Sequence, residues 1–355
     1  MKKTLSVLLA VLTLLSLLSV SVSARSVYRV DGLSEDYAAL MADAGDEFEL
    51  GSISAKYESN GNPGAISKTV DAGGVSYGAY MFASKSGVPL AFATWCISSG
   101  EGVITGTRLV AAYELDGQKY GETFNTAWTD IASEDAQGFL RLQHSYVKAK
   151  FYDVTVDRIK QRYADFNVDN YTMALKNVIW SRAVQHGVGS SMIFNAIDKI
   201  GGTWSNHTEE ELIRAIYAES ACVVAKKPND NSNAIQASSV SKYGMDAALL
   251  TGRYLRYFSL NSSDIQVSVF RRLTVNEPKD AFAMYTKYSG HLVWNTTVTP
   301  NVDLTGGSTN PDPGQDSTVS TIVTIFETMF TVFRLVSDFF VKMINLISSL
   351  ISSMK

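Results

Sequence analysis

Two cysteines and four histidines are a sparse supply for a chain of 355 residues, and the scarcity excludes whole chemistries. No close Cys or His pair stands at ligand spacing, so a structural zinc site has no donor set. Cys96 and Cys222 leave two readings open, one disulfide or two small buried apolar residues. Neither cysteine lies in a nucleophile motif and no serine elbow is read, so nucleophilic Ser or Cys hydrolysis is set aside. Charge is also scarce, at 19% of residues, with a net charge of −4. A chain of that balance does not hold anionic walls or nucleic acid by bulk charge.

What is present divides the chain clearly. Residues 1–24 combine Lys2 and Lys3, an apolar run from Leu5 to Val20 and a small-residue Val22-Ser-Ala24 end, the pattern of a secretory signal peptide. Removing them takes away two lysines and no acid, which moves the net charge to −6. Residues 25–45 form a polar lead-in. Residues 291–318 are rich in Gly, Pro, Ser, Thr, Asn and Asp and read as a flexible linker, so the main domain spans 46–290.

The most informative stretch opens that domain. Leu50, Ile53 and Tyr57 recur at helical spacing and predict a short helix ending near Glu58, which Asn60-Gly61 and Pro63-Gly64 stop. Ala65 to Val70 and Val75 to Met81 then flank Asp71-Ala-Gly-Gly74 and predict a hairpin. One carboxylate, Glu58, sits at a helix end and the other, Asp71, at the turn. Two acids on opposite walls of a groove suit glycosidic hydrolysis, in which one protonates the leaving oxygen and the other activates water or attacks carbon. That chemistry needs no metal or cofactor.

Tyr57-Glu-Ser-Asn-Gly-Asn-Pro-Gly64 followed by Asp71-Ala-Gly-Gly-Val-Ser-Tyr-Gly-Ala-Tyr80 resembles the peptidoglycan-hydrolase domain at the C-terminus of some VgrG-type secretion spikes and in phage-like lysins. That family is similar to the chitosanase branch of the lysozyme superfamily, whose Asp-Gly-Arg-Gly-Tyr-Thr pattern carries a hydroxyl residue five places after its Asp. The resemblance implies Glu58 as general acid, Asp71 as general base and Ser76 as the water-positioning residue. It further implies Tyr57, Asn62, Tyr77 and Tyr80 as substrate contacts. Ala183-Val-Gln-His-Gly187 extends it, with His186 contacting a sugar hydroxyl or bracing the Glu58 loop; a helix-end histidine meeting terminal carbonyls is equally open. Met81 stands where the family pattern expects Gln.

Val88 to Ile97 is apolar and reads as core, and Ser98 to Asp130 as less regular, with Tyr113, Tyr120, Phe124 and Trp128 as sugar-stacking or packing aromatics. Helical spacing then predicts helices over 153–163, 171–185, 190–200, from Thr208-Glu-Glu-Glu211 onward, 237–258 and 278–288. The fold class expected is mainly α with some β (α+β): a lysozyme/chitosanase-like helical domain with a small β-hairpin wing at the groove. Val319 to Ser353 follows as an apolar helix with a narrow polar stripe. It suits a membrane surface, a homo-oligomer or a partner.

The expected function is an exported glycoside hydrolase that cleaves β-1,4 bonds of peptidoglycan glycan strands, without cofactor or nucleic-acid partner. The rival from another class is a secreted protein whose lysozyme-like domain only binds glycan or carries the C-terminal helix; Met81 favours it.

Overall fold

The computed structural model describes residues 28–67, 73–224, 252–255, 263–300 and 302–303. The signal peptide expected at 1–24, Asp71 and the helix expected at 319–353 lie outside them. The chain divides into two compact units, Met1–Gly306 and Gly307–Lys355, and the described residues all belong to the first.

This unit is mainly helical with a small β-hairpin wing, the class the periodicity predicts. Helix α1 (Glu35–Ala44) starts on the Ser34 side chain, which accepts from the Tyr37 N–H. It buries Tyr37, Leu40 and Met41, so the segment expected as a polar lead-in belongs to the core. After the short turn α2 (Asp46–Glu49) comes α3 (Ser52–Ser59), the helix that carries Glu58.

Two contacts set where α3 lies. Its own N-cap is Gly51, which has no side chain to satisfy the first N–H groups. Asn177, wholly buried, supplies that oxygen from elsewhere: its Oδ1 accepts from Gly51 N (2.9 Å) and Ile53 N (3.3 Å) while its Nδ2 donates to Glu49 O (2.9 Å). Gly51 is also required sterically, because a Cβ there would lie 2.6 Å from the Trp180 ring. At the other end Asn60 takes the left-handed conformation (φ 58°) and returns its N–H to Ala55 and Lys56 carbonyls, the stop read from Asn60-Gly61.

Strands β1 (Ser76–Tyr77) and β2 (Phe82–Ala83) pair antiparallel, and Ile66 bridges Tyr77 on the other side. Helices α4 (Val88–Ser99), α5 (Val103–Leu115), α6 (Glu122–Glu134) and α7 (Ala136–Val147) follow. The expectation of irregular chain over Ser98 to Asp130 is therefore corrected. Gly106 looks like a breaker in α5, yet it lets α5 approach α4, since a Cβ there would meet Ala93 O at 2.3 Å. Close contact between the two helices replaces the amphipathic period that sequence reading relies on.

A π-helical segment (Lys148–Tyr152) leads into α8 (Asp153–Arg162), then come α9 (Met173–His186), α10 (Met192–Lys199) and α11 (Glu209–Ser220). Helix α11 opens with the predicted capping box of Thr208 and Glu211. A three-stranded sheet has the order β4 (Tyr254–Leu255), β3 (Val223–Val224), β5 (Val302–Asp303). Tyr254 and Leu255 thus lie in a strand where a helix over 237–258 is expected; 237–251 and 256–258 are outside the described residues. Helix α12 (Ser263–Arg271), a second π-helical segment (Arg272–Asn276) and α13 (Glu277–Ser289) close the helical set.

The expected domain end near 290 is also too early. Val298 is buried and donates to Thr274 O, Arg214 holds Asn295 O at 2.6 Å, and β5 pairs parallel with β3. Gly/Thr/Asn composition reports the absence of amphipathic pattern, whereas these segments are held through backbone groups. The core is continuous and aromatic, with Trp128, Trp180 and Trp204 wholly buried. Each such side chain contributes roughly 1.5–3 kcal/mol or more of transfer free energy. No disulfide joins Cys96 and Cys222; both are buried, and burial pushes the Cys96 thiol up to about 12.

Candidate active site

Glu58 lies in the last turn of α3, where the helix dipole disfavours an anion. Arg272, at the start of the second π-helical segment, compensates: its Nη2 donates to Glu58 Oε1 at 2.8 Å. Both side chains keep a small exposed edge, 15% for Glu58 and 13% for Arg272. A π-helical turn shifts the angular position of the residues after it and commonly marks a functional site. Here it leads from Arg272 to Glu277, whose Oε2 accepts from Arg272 Nε at 2.7 Å.

Behind this pair the network is fully buried. Arg182 Nη2 donates to Glu277 Oε1 at 2.6 Å with no exposed surface on either side chain, and Tyr217 OH donates to the same oxygen at 3.1 Å. Burial alone would raise the Glu277 carboxyl, but Arg182 and Arg272 outweigh it and hold the group down at about 2. Burial lowers Arg272 while Glu58 and Glu277 raise it, and the raising effects win. Arg272 is therefore a permanent cation whose direction is fixed by a buried anion. A second cluster flanks it: Asp280 accepts from Lys56 Nζ (2.6 Å) and Tyr57 OH (2.8 Å), and the Tyr57 ring lies under both Lys56 and Arg272.

The hairpin wing presents Ser76. Its carbonyl accepts from Ser67 N at 2.8 Å and its N–H donates to Ser67 Oγ at 2.9 Å. Strand alternation puts its side chain on the face opposite buried Tyr77. Gly74-Val-Ser76-Tyr-Gly78 does have the spacing of a serine nucleophile elbow, which corrects the reading that none occurs. That device needs a strand-to-helix turn, however, and Ser76 sits inside a β-ladder.

The other expected site residues divide. Tyr57 stands beside Glu58 in the network. Burial, with Arg182 and then Arg272 adding to it, pushes His186 down to about 3, and its Nε2 lies 3.4 Å from Arg182 Nη1. His186 thus borders the cation network as a neutral ring. Asn62 is exposed, with its Oδ1 accepting from Gly64 N at 2.9 Å to shape the loop after Glu58.

Tyr77 and Tyr80 are corrected: they have 0% and 1% exposed surface and cannot line a groove. The Tyr77 hydroxyl donates to Asn125 Oδ1 at 2.6 Å, and Tyr80 OH meets His144 Nδ1 at 2.8 Å. Of the aromatics proposed for sugar stacking, Phe124 and Trp128 are core. Arg182, Arg272, Glu277 and Asp280 were missed by sequence reading. They lie more than 120 residues from Glu58 in sequence, and no local pattern announces them. Asp71 lies outside the described residues. Among the described residues no group of His, Cys, Asp and Glu could hold a metal ion.

The model of the family described as type VI secretion system spike protein VgrG3-like, C-terminal, matches residues 50–243. The type VI secretion system spike protein VgrG3 of Vibrio cholerae serotype O1 is 32% identical over 166 residues, which cover 46% of this chain and 15% of that protein. Two solved chitosanase structures, one a complex and one a co-crystal with substrate, each show a TM-score of 0.37 at 18% identity, covering 51% of this chain and 78% of theirs. The family match takes in Glu58, Ser76 and His186 and spans more than half of the chain, which therefore belongs to the VgrG3-like C-terminal family of type VI secretion system spike proteins.

Proposed function

We propose that this protein is an exported glycoside hydrolase that cleaves β-1,4 bonds in peptidoglycan glycan strands. The observation that carries the reading is the Glu58 carboxylate, partly open to solvent and held at a helix end by Arg272, in a chain of the VgrG3-like family. In the reactive state Glu58 carries a proton taken up from solvent at its open edge, and it gives that proton to the leaving glycosidic oxygen. The charge then developing on its carboxylate is met by Arg272, already oriented by Glu277, so the stabilisation requires no reorganisation. Asp71 takes a proton from water that Ser76 helps to hold, and the attack inverts the anomeric centre. Tyr57 and His186 border the bound sugar.

Charge favours an uncharged or N-acetylated backbone over cationic chitosan. Among the described residues around Glu58, the cations Lys56, Arg182 and Arg272 match the anions Glu58, Glu277 and Asp280 in number, so these groups build no acidic series for a polycation. We assign residues 1–24 to export and 319–353 to membrane association or self-assembly.

The test is turbidity loss and reducing-end release from purified peptidoglycan by the mature chain, beside folded Glu58→Gln and Asp71→Asn variants. Cleavage by the parent that falls at least about 100-fold in both variants, with inverted product by NMR, is the expected result. A folded parent that cleaves neither peptidoglycan nor chitosan refutes the enzyme reading and leaves glycan binding.

A further inference from the structure

Gln143 on α7 has no exposed surface and no place in the chemistry just described, yet it touches both segments that the chemistry needs. Its Oε1 accepts from Ala79 N at 2.8 Å and its Nε2 donates to Pro63 O at 3.0 Å. Ala79 follows Ser76 on the hairpin wing, and Pro63 lies in the loop that leaves the Glu58 helix. Ser59, next to Glu58, completes the circuit from the open side: its Oγ donates to Ala79 O at 3.1 Å. The Ala79 backbone is thus gripped at its N–H by Gln143 and at its C=O by the residue beside Glu58.

A carboxamide suits this place because one planar group both donates and accepts. Asn would be one methylene short, and an apolar side chain would leave the buried Ala79 N–H unpaired. The fit is close enough that residue 78 must be glycine, since a Cβ there would lie 2.4 Å from Gln143 Oε1. Trp128 Nε1 shares the Pro63 carbonyl at 2.9 Å, so the grip on the loop is double while the grip on the Ala79 N–H rests on Gln143.

We propose that Gln143 is a positioning residue for the hydrolysis, fixing the spacing between the hairpin that carries Ser76 and the helix end that carries Glu58. The inference rests on the proposed function, because it is the spacing of two catalytic groups that gives the clasp a consequence. Inverting and retaining glycosidases differ by only a few ångströms, about 6.5–9.5 Å against about 5–5.5 Å between carboxyls. A displacement of about 1 Å is enough to cost up to 100-fold in rate.

The experiment compares the mature protein with Gln143→Met, Gln143→Glu and Ser59→Ala, using purified peptidoglycan and reading kcat and KM separately. Thr208→Ala, which removes the N-cap of α11 far from the clasp, serves as the control for destabilisation alone. We expect Gln143→Met to lower kcat by about 10- to 100-fold with KM within about twofold. Gln143→Glu, which keeps an acceptor for Ala79 N–H, falls less, and Ser59→Ala falls with no change in folding. Thr208→Ala loses thermal stability and keeps kcat. If Gln143→Met does not fold, Ser59→Ala and Gln143→Glu decide the matter. A parent that cleaves while these variants keep its kcat overturns the positioning role alone, and so does a kcat loss in Thr208→Ala equal to theirs. A parent that cleaves nothing overturns the functional reading, and the role of Gln143 with it.

Discussion

Acid should loosen this protein through His144, and the amount can be worked out. The ring is 1% exposed, stacks between Phe48 and Trp180 with centroids 4.5 and 4.8 Å away, and meets Tyr80 OH at Nδ1. Burial holds it down at about 3, against 6.5 for a free histidine. The unfolded chain therefore takes up a proton below pH 6.5 while the folded chain does not until pH approaches 3. This contribution is complete above pH 6.5 and is lost as pH falls towards 3. At pH 5 the loss amounts to about 2 kcal/mol. Urea unfolding at pH 7.5 and pH 5.0 measures it when the protein is compared with His144→Gln, whose side chain can still accept from Tyr80. The parent should lose about 2 kcal/mol more than the variant between the two conditions. His186 titrates with the same sign in both proteins and cancels. Equal losses to within about 0.5 kcal/mol would refute the reasoning, as would an NMR titration placing His144 near pH 6.5.

Two further perturbations rest on the same packing. Gly78→Ala should lower stability by about 1–3 kcal/mol in thermal or urea unfolding, because φ is +79° and the new methyl meets Gln143 and Trp128. Glu277→Leu should cost about 3–5 kcal/mol in the same assay, since it leaves Arg182 and Arg272 buried without their shared anion.

What could be read in the sequence was governed by local rules. The stop after Glu58, the cap at Thr208 and the inward face of α10 depend on residues a few positions apart, and spacing displays them. Helix α4 is nearly apolar on all sides, and α5 buries Gly106, Leu109 and Ala112 while exposing Val103, Ile104 and Leu115, so neither shows the apolar period that marks a half-exposed helix. Tyr254 and Leu255 take a strand because Val223 and Val224 offer an edge, a partner that lies far off in sequence. In the site the same division holds. Glu58 and the hairpin announce themselves in one short stretch, whereas Arg272, Glu277 and Asp280 matter only through contacts across the fold. The motif tyrosines misled for a related reason: their place in the motif says nothing of burial, and Tyr77 and Tyr80 form part of the core beneath the hairpin.

The ion pair of Glu58 with Arg272 spans 214 positions along the chain, and the neighbouring bonds of Lys56 to Asp280 and Tyr288 to Glu49 span 224 and 239. A polypeptide emerging N-terminus first presents Glu58 early and its guanidinium partner near the end of the domain. Loop closure of that length carries an entropic cost met only when the closing helices dock. The Glu58 end of α3 is therefore complete only once residues 272–289 have docked, so a chain lacking its last helices would hold Glu58 without its guanidinium partner.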